Sequence, residues 1–200
     1  MKKILFTLVC ALLLVGNAGA QTAKQVLDKT AATISSKSGI KANFTISGNK
    51  YGNVSGTIAV KGRKFQATTP MAVMWFDGKT QWTYMKKNDE VNVSNPTEAQ
   101  LQAINPYNFI NMYKNGFSYS MSKEGGNYVV HLDATNKSRS VQEMYITVSK
   151  GSYTLSQVKM RQGKNWTTID IRGLQRKSLS DNLFRFNAKD YPKAEVIDLR

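Results

Sequence analysis

One cysteine and one histidine are all this chain has of the two residue types behind most nucleophilic and metal chemistry. Cys10 lies inside an apolar run near the N-terminus. Beyond that run there is no disulfide, no cysteine metal site and no cysteine nucleophile. His131 alone cannot form a histidine-based metal cluster, and a Ser–His–acid site needs partners that no local spacing supplies. It alternates out of phase with Val130 and Leu132 on an expected strand, which turns it toward solvent or a capping partner. Asp133, Glu143 and Asp170 are single acids on separate expected strands, with nothing to pair them for glycoside cleavage. Acids are scarce overall, 13 against 28 lysines and arginines, for a formal charge of +15. Such an excess favours anionic partners such as lipid head groups or acidic proteins. The basic residues are scattered, without the interleaved aromatics of a nucleic-acid surface. Long apolar runs are also lacking. The one at residues 4–15 is too short to cross a bilayer, which takes roughly 20 residues.

That run has another reading. Lys2-Lys3 precedes it and Ala18-Gly19-Ala20 follows it, the three parts of a secretory leader. Residues 1–20 are expected to be removed on export to the periplasm. Cys10 lies within the apolar run, not after it, so it is no lipid-anchoring cysteine. Losing Lys2 and Lys3 leaves twice as many basic as acidic residues. Residues 21–200 are expected to form one domain. A chain of that length can bury roughly 70% of its unfolded surface.

The interior begins with a predicted helix over 22–37, with Val26, Leu27, Thr30, Ala31 and Ile34 near one face. Gly39 ends it. Ile40, Ala42, Phe44 and Ile46 then alternate with polar residues, and after Gly48-Asn49 so do Val54, Gly56, Ile58 and Val60. A short strand at 64–69 stops at Pro70. The stretch 73–94 organises the rest. It reads as three strands joined by turns at Asp77-Gly78 and Asn88-Asp89. It sets the rings of Trp75, Trp82 and Tyr84 on a half-buried surface. Gly78-Lys79-Thr80 resembles the end of a phosphate loop, but the required earlier glycine is Val73 and a strand follows instead of a helix.

Asn95-Pro96-Thr97-Glu98 offers a cap, a first-turn proline and a glutamate three residues on. Asn105-Pro106 repeats the signal. Two short helices are expected, carrying Leu101 and Ile104, then Phe109, Ile110, Met112 and Tyr113, like a cover. From Phe117 the pattern is a meander, with strands expected at 117–122, 128–133, 141–149, 154–161 and 166–174. Glycine-containing turns separate them. Residues 184–186 and 194–199 are the last expected strands. About ten or more short strands at this spacing imply a barrel or strongly curved sheet.

The order of parts resembles the periplasmic outer-membrane lipoprotein carrier (LolA) family. It rests on the helix at 23–36, Phe44-Thr45, Gly56-x-x-x-Val60-Lys61 and, most specific, Asp77-Gly78-Lys79-Thr80-x-Trp82-x-Tyr84. Leu183-Phe184-x-Phe186 and a tail containing Pro192 close the match, which runs through residues 21–200. The resemblance implies an α+β, mainly β fold: an unclosed antiparallel half-barrel of about 10–12 strands, with an N-terminal helix and short lid helices over an apolar cavity. It implies a non-enzymatic carrier without cofactor or metal. Such a carrier takes acylated lipoproteins or lipids from an inner-membrane exporter to an outer-membrane acceptor, as a monomer. The cavity would be lined by Phe44, Ile46, Ile58 and Val60, and further on by Val73, Trp75, Trp82, Tyr84 and Val93. The lid would carry Leu101, Ile104, Phe109 and Met112. Family members place an Arg-Pro pair after the Val-Lys strand, the arginine latching the lid. Here Arg63 falls within a residue of that place, and no proline follows. The alternative on the same fold is a periplasmic sensor or scaffold binding a lipid or protein partner.

Overall fold

The computed structural model describes residues 21–35, 37–49, 52–97, 100–101 and 112–200. The expected leader and the expected lid residues Ile104 and Phe109 lie outside the described residues. One helix, α1 (Ala23–Ile34), opens the chain. The Thr22 hydroxyl accepts from the Gln25 amide at 3.2 Å, and the Gln25 side chain accepts from the Thr22 amide at 2.9 Å. Two of the helix's orphan donors are thereby satisfied. Val26, Leu27, Thr30 and Ile34 make its buried side. The buried Thr30 hydroxyl donates to the Val26 carbonyl at 2.9 Å, so it costs the core no unpaired polar group.

The strands are β1 (Ile40–Gly48), β2 (Gly52–Lys61), β3 (Lys64–Thr68), β4 (Ala72–Phe76), β5 (Gln81–Met85) and β6 (Glu90–Ser94). They continue with β7 (Phe117–Glu124), β8 (Asn127–Ala134), β9 (Glu143–Ser149), β10 (Leu155–Gln162), β11 (Asn165–Arg176) and β12 (Glu195–Asp198). All belong to one 12-stranded sheet in the order β12-β6-β5-β4-β3-β2-β1-β11-β10-β9-β8-β7. Two antiparallel meanders, β1–β6 and β7–β11, join where β1 pairs with β11. The tail strand β12 adds in parallel to β6. The sheet does not close, because β12 and β7 stand at its opposite edges. The mainly β, unclosed architecture with an N-terminal helix is therefore present.

Two local expectations change. Residues 181–184, reaching into the expected strand at 184–186, form a 3₁₀ turn (Asp181–Phe184) capped by the Ser180 hydroxyl. The helix cap expected at Asn95 lies at Thr97, whose hydroxyl accepts from the Gln100 amide at 3.3 Å while its own amide donates to the Gln100 side chain at 2.8 Å. Asn95 is occupied elsewhere, accepting from the Thr80 hydroxyl at 3.0 Å.

Cross-strand partners share a face of a sheet, and alternate residues change face. Following the registers outward from β1 therefore assigns every strand residue to one of two faces. The inner face carries α1, which lies against β7 and β8. It holds the main core, where Ile40, Phe65, Val130, Leu132, Met144 and Val158 are essentially inaccessible. On the outer face a second, small core gathers Ala59, Leu179 and Phe184.

Candidate functional site

The inner face begins with Phe44. Its neighbour on β2 is Gly56 and on β11 Ile171. A Cβ at Gly56 would stand 2.7 Å from the Phe44 ring and 2.2 Å from the Thr68 carbonyl oxygen. The glycine of the Gly56-x-x-x-Val60-Lys61 motif thus seats an aromatic ring. Ile46 faces Val54 and Ile169, Ile58 faces Ala67, and Val60 faces Phe65. Phe65 and Phe76 continue the row, their ring centres 5.6 Å apart. Around this core stands a rim of half-buried apolar side chains packed against it: Ile46, Ala67, Met74, Met121 and Met160. Three are methionines, unbranched and polarizable, the type that adapts to irregular apolar partners.

Leu101 and Met112, the described members of the expected lid, both pack on this inner core. Tyr113, 1% exposed, follows Met112 and donates its hydroxyl to Asp28 of α1 at 2.6 Å. Tyr119 in turn donates its hydroxyl to the Tyr113 carbonyl. Burial, then the Asp28 contact, push the Tyr113 phenol far above its ordinary range. Lys24 and Tyr113 hold the Asp28 carboxyl below its own.

Val73, Trp75, Trp82, Tyr84 and Val93 lie on the other side. Trp75 is paired with Gln66, Val73 with Thr68, Trp82 with Trp75 and Val93, and Tyr84 with Val73. Each falls out of register with the inner row Phe65–Phe76 and Ala67–Met74. One cavity lined by both groups, as expected from the sequence, is not what the registers give. The inner residues on β4 are Met74 and Phe76, and the rings of Trp75, Trp82 and Tyr84 face outward. The C-terminal segment covers Trp75 and Tyr84. Tyr191 lies 5.5 Å from Trp75 and 4.6 Å from Tyr84, and Phe186 lies 5.7 Å from Trp75 (ring centres). Burial raises the Tyr191 phenol.

Ion pairs hold that segment down. Asp181 takes Lys61 at 2.9 Å and Lys64 at 2.9 Å, and these lysines bring its carboxyl down to about 2. Asp77 binds Arg185 at 3.0 Å through one oxygen, and through the other accepts the Lys79 and Thr80 amides at 3.0 and 2.9 Å. Burial alone would raise the Asp77 carboxyl, but the Thr80 and Lys79 amides and then Arg185 bring it below the ordinary value. The Asp-Gly-Lys-Thr turn therefore fixes its own hairpin and clamps the tail. Arg63 is exposed in the β2–β3 turn; the neighbouring Lys61 and Lys64 reach the tail.

His131 is capped: its Nε2 lies 3.0 Å from Glu143, which also accepts from Tyr145 at 3.0 Å and Arg161 at 2.9 Å. Among the described residues no three histidine, cysteine or acidic side chains gather as a metal site. Sequence reasoning missed Ala67, Met74, Met121 and Met160 on the inner rim and Phe186 and Tyr191 on the tail. Met74 was within reach, since it shares parity with Phe76.

The family model described as outer membrane lipoprotein carrier protein LolA matches residues 15–164. Among solved structures, an uncharacterized conserved protein from Thermus thermophilus has the same fold, with a TM-score of 0.61 at 12% identity, covering 89% of this chain and 99% of that one. A LolA superfamily protein from Nitrosomonas europaea gives 0.44 at 10% identity, covering 82% and 98%. A putative outer membrane lipoprotein-sorting protein domain from Vibrio parahaemolyticus gives 0.44 at 11% identity, covering 82% and 97%. No curated protein matches.

Proposed function

This chain belongs to the outer membrane lipoprotein carrier protein LolA family, and from that premise we propose that it is a periplasmic carrier that holds acyl chains against the inner face of its sheet. The observation that carries the reading is the half-buried rim of Ile46, Ala67, Met74, Met121 and Met160 around a fully buried core. The rim is apolar surface that remains partly wet, and burial of such surface is what an acyl chain offers. The proposed contact set is Phe44, Ile46, Ile58 and Val60 with that rim, and Leu101 and Met112 belong to its cover. The outer residues Val73, Trp75, Trp82, Tyr84 and Val93 lie on the opposite face, where Trp75 and Tyr84 meet the tail.

Energetics constrain the mechanism. Burying about 15 methylenes gains roughly 12 kcal/mol at ~0.8 per CH₂. A membrane offers the same gain, so affinity alone does not extract cargo. The protein takes lipoprotein expelled by an energised inner-membrane exporter and hands it to an outer-membrane acceptor downhill. The carrier reading calls for no catalytic step, and the sole histidine pairs with Glu143 and stacks on Tyr145.

Native mass spectrometry with a triacylated lipopeptide tests this. One bound lipopeptide per chain is expected, lost in Ile46→Asp combined with Met74→Asp. A chain that binds no lipopeptide but captures a protein partner would favour the sensor or scaffold reading.

A further inference from the structure

A concave feature lies on the outer face, at the seam of the two meanders. It is a groove of about 310 Å³, within the size range of small-molecule sites. Its walls are mostly polar, with Lys41 and Asn43 from β1, Thr57 from β2, Gln66 from β3 and Gln175 from β11. Gly173 lies where β11 slips in register between Lys41 and Asn43, at φ +61°. Glycine permits that backbone and leaves the Asn43 amide unobstructed, since a Cβ would sit 3.4 Å from Nδ2.

None of these five polar side chains makes a side-chain hydrogen bond or ion pair among the described residues. Elsewhere on the outer face the reverse holds. Glu143 takes three donors, Gln157 donates to Asp170 at 2.8 Å, and Lys159 lies 4.7 Å over the Trp166 ring. Several outer-face polar groups over β8–β11 are thus paired, and the five that line the groove are not. No carboxylate lines it, and Arg172 stands on the same face opposite Asn43.

One lysine, three primary amides and a hydroxyl line the groove, and Arg172 stands on the same face beside it. The cations suit an anion with several oxygens, and the amides, which both donate and accept, suit neighbouring hydroxyls. We propose that this groove binds a phosphorylated sugar, either free or as the head group of a glycolipid. The groove opens on the face opposite the acyl rim, so the proposal stands independently of the carrier reading.

Isothermal titration with glucose 6-phosphate, with inorganic phosphate and glucose as separate arms, tests it. Co-sedimentation with phosphatidylcholine vesicles carrying monophosphoryl lipid A tests the lipid source. Lys41→Ala and Gln66→Ala are the variants; both residues lack partners, so their urea midpoints should match the parent. Glucose 6-phosphate binding, tighter than either fragment and about tenfold weaker in Lys41→Ala, supports the site with a soluble ligand. Binding confined to lipid A vesicles, with the same sensitivity, supports it with a membrane ligand. Silence in both arms overturns it, as does phosphate binding as tightly as the sugar phosphate, or binding indifferent to both substitutions.

Discussion

Replacing Gly56 by alanine sets two effects against each other. Glycine inside a strand costs roughly 0.5–1 kcal/mol relative to alanine, so propensity alone makes Gly56→Ala stabilising. The structure gives the opposite sign. The new Cβ would stand 2.2 Å from the Thr68 carbonyl oxygen and 2.7 Å from the Phe44 ring. The ring can rotate, but the carbonyl belongs to β3, next to the Thr57–Thr68 pair, and moves only if β2 and β3 part. Overpacking of this kind costs about 1–3 kcal/mol. At the size of this chain that lowers Tm by roughly 2–12 °C. Urea unfolding followed by circular dichroism measures it. Phe44→Leu in the same chain should recover only part of the loss, because the carbonyl clash remains. A Gly56→Ala protein as stable as the parent, or more so, would refute the steric reading and the seat it assigns to Phe44.

Trp75→Ala is expected to cost about 3–5 kcal/mol, as for other buried aromatics. It should leave lipopeptide affinity unchanged, since the ring meets Phe186 and Tyr191 on the outer face; urea midpoints and a lipopeptide Kd report the two separately. Asp77→Asn keeps an oxygen for the turn amides but loses the Arg185 ion pair, at about 1 kcal/mol near neutral pH. Because the folded Asp77 carboxyl titrates below its unfolded value, its contribution is fully present above about pH 4 and is lost as pH falls through the folded value. Urea midpoints of parent and Asp77→Asn should therefore differ at pH 7 and converge toward pH 3. Tyr113→Phe removes the hydroxyl that reaches Asp28 and should cost about 1 kcal/mol, discounted because Asp28 is partly exposed; a neutral result would show that this link between α1 and the segment after Met112 carries no stability.

The elements were legible in the sequence because their signals are local. The alternation through Ile40–Ile46 and the glycine turns gave nearly every strand, and the capped apolar stripe at Val26–Ile34 gave α1. The family followed from the order of parts, most specifically from the Asp77–Tyr84 stretch. The side of the sheet was not legible. Period-two alternation shows that a strand has two faces but not which one meets the core. β4 conceals it further, since Trp75 and Phe76 are both large and both buried, on opposite faces. Deciding between them requires knowing what lies over each face, and the outer cover comes from a distant part of the chain. Arg185 meets Asp77 across 108 residues, and Asp181 meets Lys61 across 120. Rings concentrated in one hairpin read as a binding surface when nothing local shows that a distant tail lies over them.

The outward turn of those rings makes the central claim directly measurable. Trp75, Trp82 and Trp166 all lie on the outer face. Met74, the residue beside Trp75, lies on the inner rim. A lipopeptide with acyl chains brominated near their ends quenches tryptophan only at close range. The parent protein should bind it with its fluorescence intact, and Met74→Trp should bind it with the added emission quenched. Quenching of the parent's own tryptophans, with none added by Met74→Trp, would place the acyl chains on the outer face and contradict the account.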